Sequence, residues 1–119
     1  MLKKRVFKLQ LPYVKGEVIP MRSFHNIAKL IKTKRVEHTK RYSQSELSLI
    51  LGYKNGQFIS NVERGLCSIP LKMLSTVASV LDITHEEIKA AVLRDFEETV
   101  TNYINTDFSK EEIAAGEDE

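Results

Sequence analysis

Closely spaced helix start and stop signals between residues 43 and 65 constrain this chain most, because they leave room for only two short helices. Ser43 and Glu46 match the S-x-x-E capping box, in which each side chain hydrogen-bonds the backbone amide of the other residue. Gly52 is placed to end this helix, and Gly65 is placed to end the next one. Helices this short are marginal alone in water, so the two are expected to pack together on a shared core.

Helical periodicity in the rest of the sequence predicts an all-α fold with five helices. A first helix is expected after Arg22, Pro70 suits the first turn of a fourth helix, and Thr84 is expected to cap a fifth. The stripes expected to face the core are Ile27, Leu30, Ile31 and Val36; Leu47, Ile50 and Leu51; Phe58, Ile59 and Val62; Leu71, Leu74, Val77, Ala78 and Leu81; and Ile88, Ala91 and Val92.

Charge divides the 119 residues into a basic arm, a helical domain and an acidic tail, predicted at residues 1–21, 22–106 and 107–119. Residues 1–42 contain 12 Lys and Arg against 2 Asp and Glu, whereas residues 86–119 contain 3 against 11. The basic part indicates either a surface for a polyanion such as nucleic acid or a solvated helix face. The arm contains Pro12, Gly16 and Pro20 and is expected to hold a short strand near residues 5–9.

Several classes of protein are excluded by composition. No apolar run approaches the roughly 20 residues of a membrane-spanning helix, so we expect no membrane and a cytoplasmic location. Cys67 is the lone cysteine, incidental or a redox sensor. The three histidines lack metal-ligand spacing with it, so we predict no metal. These three residues are His25, His38 and His85. The sequence has no glycine-rich phosphate loop after a strand and no nucleophile in a known elbow motif, so we also predict no cofactor and no enzyme activity.

Residues 43–52 resemble the first helix and turn of the helix-turn-helix in the lambda-repressor/Cro-like family, which includes xenobiotic-response-element-type regulators. Residues 57–65 resemble the recognition helix of that family, and a weaker resemblance extends over residues 27–88. The resemblance implies a five-helix, lambda-repressor-like DNA-binding domain. Ser48 is small where the two helices are expected to cross, and Gly52 is expected to need an unusual backbone angle. The connection over residues 53–56 is one residue longer than in the family. The resemblance therefore leaves open which residues of the recognition helix face the bases.

The resemblance also implies which residues contact DNA, with a recognition helix over about residues 56–64 in the major groove. Glu63 is expected to face away from DNA and to pair with Arg35 or Lys32. The side-chain amides of Gln and Asn suit hydrogen bonds with adenine, but Asn55 also suits a helix cap. The alternative for Gln57 and Asn61 is simple exposure to solvent. The residues expected to contact bases are Asn55, Gly56, Gln57, Ser60 and Asn61. Those expected to contact phosphates are Gln44, Lys40, Arg41, Lys54, Arg64 and Lys72, although Arg64 has an alternative role in binding loop carbonyls.

The predicted function is a sequence-specific transcriptional regulator, such as a repressor, that binds double-stranded DNA as a homodimer on a palindromic site. The apolar stripe of the fifth helix continues beyond the length that one small core needs, which predicts a dimer interface there. Its residues are Phe96, Val100, Tyr103 and Ile104. The alternative is that this stripe folds back against Phe7 or Val14. An alternative function is an antitoxin-type protein that holds a protein partner and autoregulates through DNA binding.

Overall fold

The computed structural model describes residues 21–106 and, of the preceding arm, the backbone of two short strands. The strands are β1 (Tyr13–Val14) and β2 (Glu17–Val18), which pair antiparallel with Tyr13 opposite Val18. The strand expected at residues 5–9 and the acidic tail lie outside the described residues. So do the side chains of Phe7 and Val14, the two residues against which the fifth helix was alternatively expected to fold.

The described chain forms five α-helices, which confirms the all-α prediction. They are α1 (His25–Glu37), α2 (Gln44–Ile50), α3 (Gln57–Glu63), α4 (Leu74–Leu81) and α5 (His85–Asn105). The fifth helix has 21 residues and is the longest, as the extended apolar stripe predicted. None of the helices in residues 21–106 is long and apolar enough to cross a membrane.

Two helices start with a capping box made from neighbouring residues. The Ser43 hydroxyl accepts from the Glu46 amide at 3.0 Å, and the Glu46 carboxylate accepts from the Ser43 amide at 2.8 Å. The same exchange joins Thr84 and Glu87, at 3.1 and 3.0 Å. The prediction of Thr84 as a cap is therefore confirmed. The reciprocal hydrogen bond from the Thr84 amide to Glu87 was not predicted, although the T-x-x-E spacing of the two residues indicates it.

Left-handed residues end the short helices. Gly52 has φ +94° and Gly65 has φ +77°, a region that glycine enters at little cost. The predicted glycine stops are thus confirmed. Asp82 ends α4 in the same conformation with φ +57°, which is uncommon for a residue with a side chain.

Three residues of the stripes that were predicted to face the core are exposed. Val36 is 56% exposed, because it lies roughly 180° around α1 from the buried Ile27. Ile50 is 49% exposed, because it lies roughly 160° around α2 from the buried Ser48. Leu71 is 77% exposed, because residues 71–73 form a 3-10 turn that follows Pro70, and α4 begins only at Leu74. All three predictions were wrong, since Val36 and Ile50 lie off the buried faces of their helices and α4 has not begun at Leu71.

The described residues fall into two compact units. The unit of residues 23–97 contains a continuous apolar core. Its fully buried large side chains come from the first four helices: Ile27, Ile31, Leu47, Ile59, Val62, Val77 and Leu81. In the second unit, which holds the described residues of 1–22 and 98–119, Asn102 donates to the Met21 carbonyl at 2.9 Å.

A buried carboxylate from α5 caps the start of α1. Asp95 accepts from the Asn26 amide at 2.7 Å, from the Asn26 side chain at 3.0 Å and from the Ile27 amide at 3.1 Å. These amides belong to the first turn of α1, which has no partner for them inside the helix. The buried face of α5 therefore includes a charged residue that the apolar stripe did not predict.

Candidate nucleic-acid interface

The pair α2–α3 is held together by a buried serine. Ser48 is fully buried, and its hydroxyl accepts from the Ile59 amide of α3 at 3.2 Å. Its own carbonyl accepts from the Tyr53 amide at 2.9 Å, which closes the turn after α2. The Tyr53 ring then stacks on Phe58 of α3, with centroids 4.0 Å apart. The small residue predicted at the helix crossing is confirmed, and its hydroxyl supplies a hydrogen bond as well as space.

Gly56, at the start of α3, lies close to Ser45 of α2. A Cβ atom built on Gly56 would be 2.8 Å from the Ser45 hydroxyl and 3.1 Å from the Ser45 backbone nitrogen. The missing side chain therefore makes room for α2 and not for an external ligand. Glycine is therefore explained at this position by its packing against Ser45. The predicted contact of Gly56 with bases stays a prediction.

Glu63, the only carboxylate of α3, is turned into an ion-pair network. Its side chain is 3% exposed and accepts from Arg35 of α1 at 2.6 and 3.0 Å. The amide of Gln44 donates to the same carboxylate at 2.8 Å, and Arg35 also donates to the Tyr42 carbonyl at 3.1 Å. The hydrogen bonds to Glu63 raise the pKa of Arg35 above its already high ordinary value. Of the two predicted partners of Glu63, the structure selects Arg35.

Gln44, which was predicted to contact a phosphate, is part of this ion-pair network. Its side-chain nitrogen is engaged with Glu63, so a phosphate contact by that group requires the hydrogen bond to open. Its predicted phosphate contact stays a prediction.

The outward face of α3 carries amides and hydroxyls. Asn55 accepts from the Gln57 amide at 2.9 Å, so the predicted capping role of Asn55 is present at the start of the helix. The Gln57 side chain donates to Asn61 at 2.8 Å, one turn later. Gln57 is exposed, and Ser60 and Asn61 are half-buried. The structure thus brings the two predicted adenine-reading amides together as a hydrogen-bonded pair.

The remaining residues predicted to contact phosphates are all exposed. Lys54 lies in the connection before α3, and Arg64 directly follows that helix. Lys40 and Arg41 lie in the connection between α1 and α2, where Arg41 has φ +49°. Lys72 lies in the 3-10 turn. Their exposure leaves each cation accessible to an anion.

The four residues predicted at a dimer interface are also exposed. Their exposed fractions range from 37% for Val100 to 74% for Ile104. Leu93, one turn before Phe96, is exposed as well and was missing from the prediction. Its spacing of three residues from Phe96 is the signal that identifies it.

Two further observations concern metal ligands and the lone cysteine. No three His, Cys, Asp or Glu side chains within residues 21–106 come together as a metal site requires. Cys67 is half-buried, and burial raises the pKa of its thiol, which disfavours the reactive thiolate.

The sequence analysis did not predict the side-chain contacts of two residues, Asp95 and His38. Asp95 lies seven residues after Ile88 and four after Ala91, on the same face of α5, so helical periodicity could have predicted its burial. His38 was named only as a scattered histidine, and its contacts with Asp82 and Lys40 carry no local sequence signal.

Comparisons with known proteins identify no relative. No protein-family model matches this sequence, and neither the curated proteins nor the solved structures contain a significant match.

Proposed function

We propose that this chain is a sequence-specific DNA-binding transcriptional regulator that inserts α3 into the major groove. One observation carries the proposal: the outward face of α3 presents polar side chains without a carboxylate. Glu63 is buried against Arg35, while Gln57, Ser60 and Asn61 lie on the accessible side. Such a face suits base edges, because amides and hydroxyls hydrogen-bond bases and an exposed carboxylate would be repelled by phosphates.

Packing of the helix pair supports the same function. Reading a base sequence requires side chains that are held in fixed positions, and α3 is tied to α2 through Ser48 and to α1 through Arg35. The exposed cations at both ends of α3, Lys54 and Arg64, suit contacts with the DNA backbone. These contacts would set the position of the helix, while the amides would read sequence.

A homodimer is part of the proposal, because one helix of seven residues contacts few base pairs. The exposed residues Leu93, Phe96, Val100 and Tyr103 of α5 follow spacings of three, four and three, the pattern of a coiled-coil seam. A second copy of α5 is the occupant that this repeat fits. Two-fold pairing would present two copies of α3 to a palindromic site.

The experiment that tests DNA binding is selection of bound fragments from a random double-stranded pool. The parent protein should enrich a palindrome whose half-sites are one helical turn apart, about 34 Å. A Gln57→Ala/Asn61→Ala variant, run in parallel, should lose enrichment of that motif and keep salt-dependent retention of DNA. Recovery of unbiased sequences by the parent would contradict the proposal.

Sedimentation tests the dimer separately. The parent should be dimeric at tens of micromolar, and a Phe96→Asp/Val100→Asp variant should be monomeric with the helical circular dichroism of the parent. Lys89→Asp, an exposed change on the same helix, is the control for added negative charge. A monomeric parent would contradict this part of the proposal.

The exposed apolar residues of α5 also favour the second candidate, an antitoxin-type protein with a protein partner. Purification from the native cell distinguishes the two. A second protein retained in one-to-one ratio, and lost from the Phe96→Asp/Val100→Asp variant, would support the antitoxin-type function over the homodimer.

A further inference from the structure

His38 is a buried histidine that has no part in the proposed function so far. It directly follows α1, and its side chain is 7% exposed. Its Nε2 atom lies 2.8 Å from a carboxylate oxygen of Asp82, the residue that ends α4. Its ring also packs on Tyr42, with centroids 5.1 Å apart. A histidine with this many contacts is held in one orientation.

The hydrogen bonds of His38 assign its tautomer. The Lys40 backbone amide lies 3.0 Å from Nδ1, and a backbone amide can only donate. Nδ1 therefore accepts and carries no hydrogen. The ring hydrogen lies on Nε2, which donates to Asp82. Both ring nitrogens of the neutral imidazole are used, one toward the connection after α1 and one toward the end of α4.

This arrangement holds the connection between α1 and α2 at both ends. At its start, His38 binds the Lys40 amide through Nδ1 and the Arg41 amide through its carbonyl, at 2.9 Å. At its end, the Tyr42 carbonyl accepts from Arg35, the same residue that holds Glu63 of α3. Arg41 adopts φ +49° between these two points, a conformation that persists only where the surroundings impose it.

We propose that His38 is a positioning residue for binding of the DNA backbone. By holding the Lys40 amide, it keeps Lys40 and Arg41 in a fixed arrangement relative to α3. The two exposed cations then contact phosphates at the position where α3 reads bases. This inference rests on the proposed function, because it names what orients the phosphate contacts of that interface.

Two substitutions separate the hydrogen bonds of His38. His38→Asn keeps an acceptor for the amide two residues on, as in an Asx turn, but is too short to reach Asp82. His38→Gln extends an amide donor toward Asp82 but places no acceptor beside the Lys40 amide. His85→Ala, which changes an exposed histidine at the start of α5, is the matched control.

The first measurement is hydrogen exchange of the Lys40 amide without DNA, compared with the Ile31 amide in the middle of α1. In His38→Gln, exchange at Lys40 should rise at least about tenfold while exchange at Ile31 stays within twofold. His38→Asn and His85→Ala should resemble the parent. An equal rise at both amides would mean general destabilisation and would overturn the positioning role.

The second measurement is the dependence of DNA affinity on salt. Each phosphate contact contributes about 0.9 to the slope of log K against log salt, so His38→Gln should flatten it by about 1–2. Lys40→Ala should flatten the slope when it is made in the parent. Made in the His38→Gln variant, it should flatten the slope little further, because the phosphate contact of Lys40 is already lost there.

The salt dependence of His38→Gln separates the role of His38 from DNA binding itself. A His38→Gln variant with the slope of the parent, when Lys40→Ala flattens it, would overturn the role of His38 and leave DNA binding intact. A parent that binds no DNA would overturn both.

Discussion

The Ser48 hydroxyl of α2 accepts a hydrogen bond from the Ile59 amide of α3 at 3.2 Å, at a point where both residues are fully buried. Ile59 is the third residue of α3, so its amide has no partner within that helix. A serine from one helix thus caps the next helix at their crossing. The helix pair proposed to bind DNA depends on this contact for its geometry.

Ser48→Ala should lower the free energy of unfolding by about 1–3 kcal/mol, because it leaves a buried amide without an acceptor. Urea denaturation measures the change, and Ser75→Ala, an exposed position of α4, is the control. Equal stability of the parent and Ser48→Ala would show that the contact contributes nothing.

Ser48→Leu tests space at the same crossing. The larger side chain should overpack the α2–α3 contact and destabilise the protein by about 1–3 kcal/mol, with the loss of the hydrogen bond in addition. A thermal melt that is unchanged from the parent would contradict close packing of these helices.

Asp95→Asn should destabilise the protein by about 2 kcal/mol, although the side chain keeps its size. The carboxylate accepts three hydrogen bonds at the start of α1, whereas an amide has only one acceptor oxygen and no charge to complement the helix dipole. Chemical denaturation checks the value. Glu97→Gln, an exposed change two residues later, should stay within about 0.5 kcal/mol of the parent.

Gln57→Ala and Asn61→Ala should each weaken binding to the selected DNA site by about 1–3 kcal/mol. Because the two side chains are hydrogen-bonded to each other, the double variant should lose less than the sum of the single losses. Titration of the labelled cognate duplex with the parent, the two single variants and the double variant measures the four affinities of this cycle, and a scrambled duplex at the same salt gives the non-specific affinity of each protein.

The control for this cycle is Lys54→Ala, which should weaken binding to both duplexes alike and flatten the salt dependence. Parent-like affinity of both single variants for the selected site would show that α3 presents a different set of residues to the bases.

Glu87→Gln should reduce stability at neutral pH and have little effect in acid. Hydrogen bonding to the Thr84 backbone, followed by that to Lys34, lowers the pKa of Glu87 in the folded protein. A lowered folded pKa means that the stabilisation is present above the unfolded pKa and is lost as the pH falls through the folded value. Melting temperatures from pH 7 down to pH 3 should therefore converge for parent and variant. A difference in melting temperature that stays the same from pH 7 to pH 3 would contradict the prediction.

The sequence determined the helix starts whose partners are close along the chain. Ser43 and Thr84 cap α2 and α5 through residues three positions on, so the pairing can be predicted from the spacing alone. The glycine stops follow equally locally, because positive φ is a property of one residue. These signals and the apolar stripes were sufficient to predict five helices.

Only the tertiary structure decided the long-range caps of α1 and α3, the second of which adds to the local hydrogen bond between Asn55 and the Gln57 amide. Neither helix has a side-chain cap of its own at its N-cap position. Asp95 reaches Asn26 and Ile27 from 69 and 68 residues away, and Ser48 reaches Ile59 from 11 residues away. A hydrogen bond between distant residues depends on how the helices pack, which no local spacing encodes.

The same distinction divides the candidate interface. Residue type and family resemblance were enough to predict the outward amides of α3 and two possible partners of Glu63. Packing decided that Arg35 is that partner, that Gln44 joins it and that Gly56 makes room for Ser45. It also brought His38 to Asp82 across 44 residues of sequence. Local chemistry determined which groups the protein carries, and the packing of five helices determined which of them meet, because contact depends on distance in space.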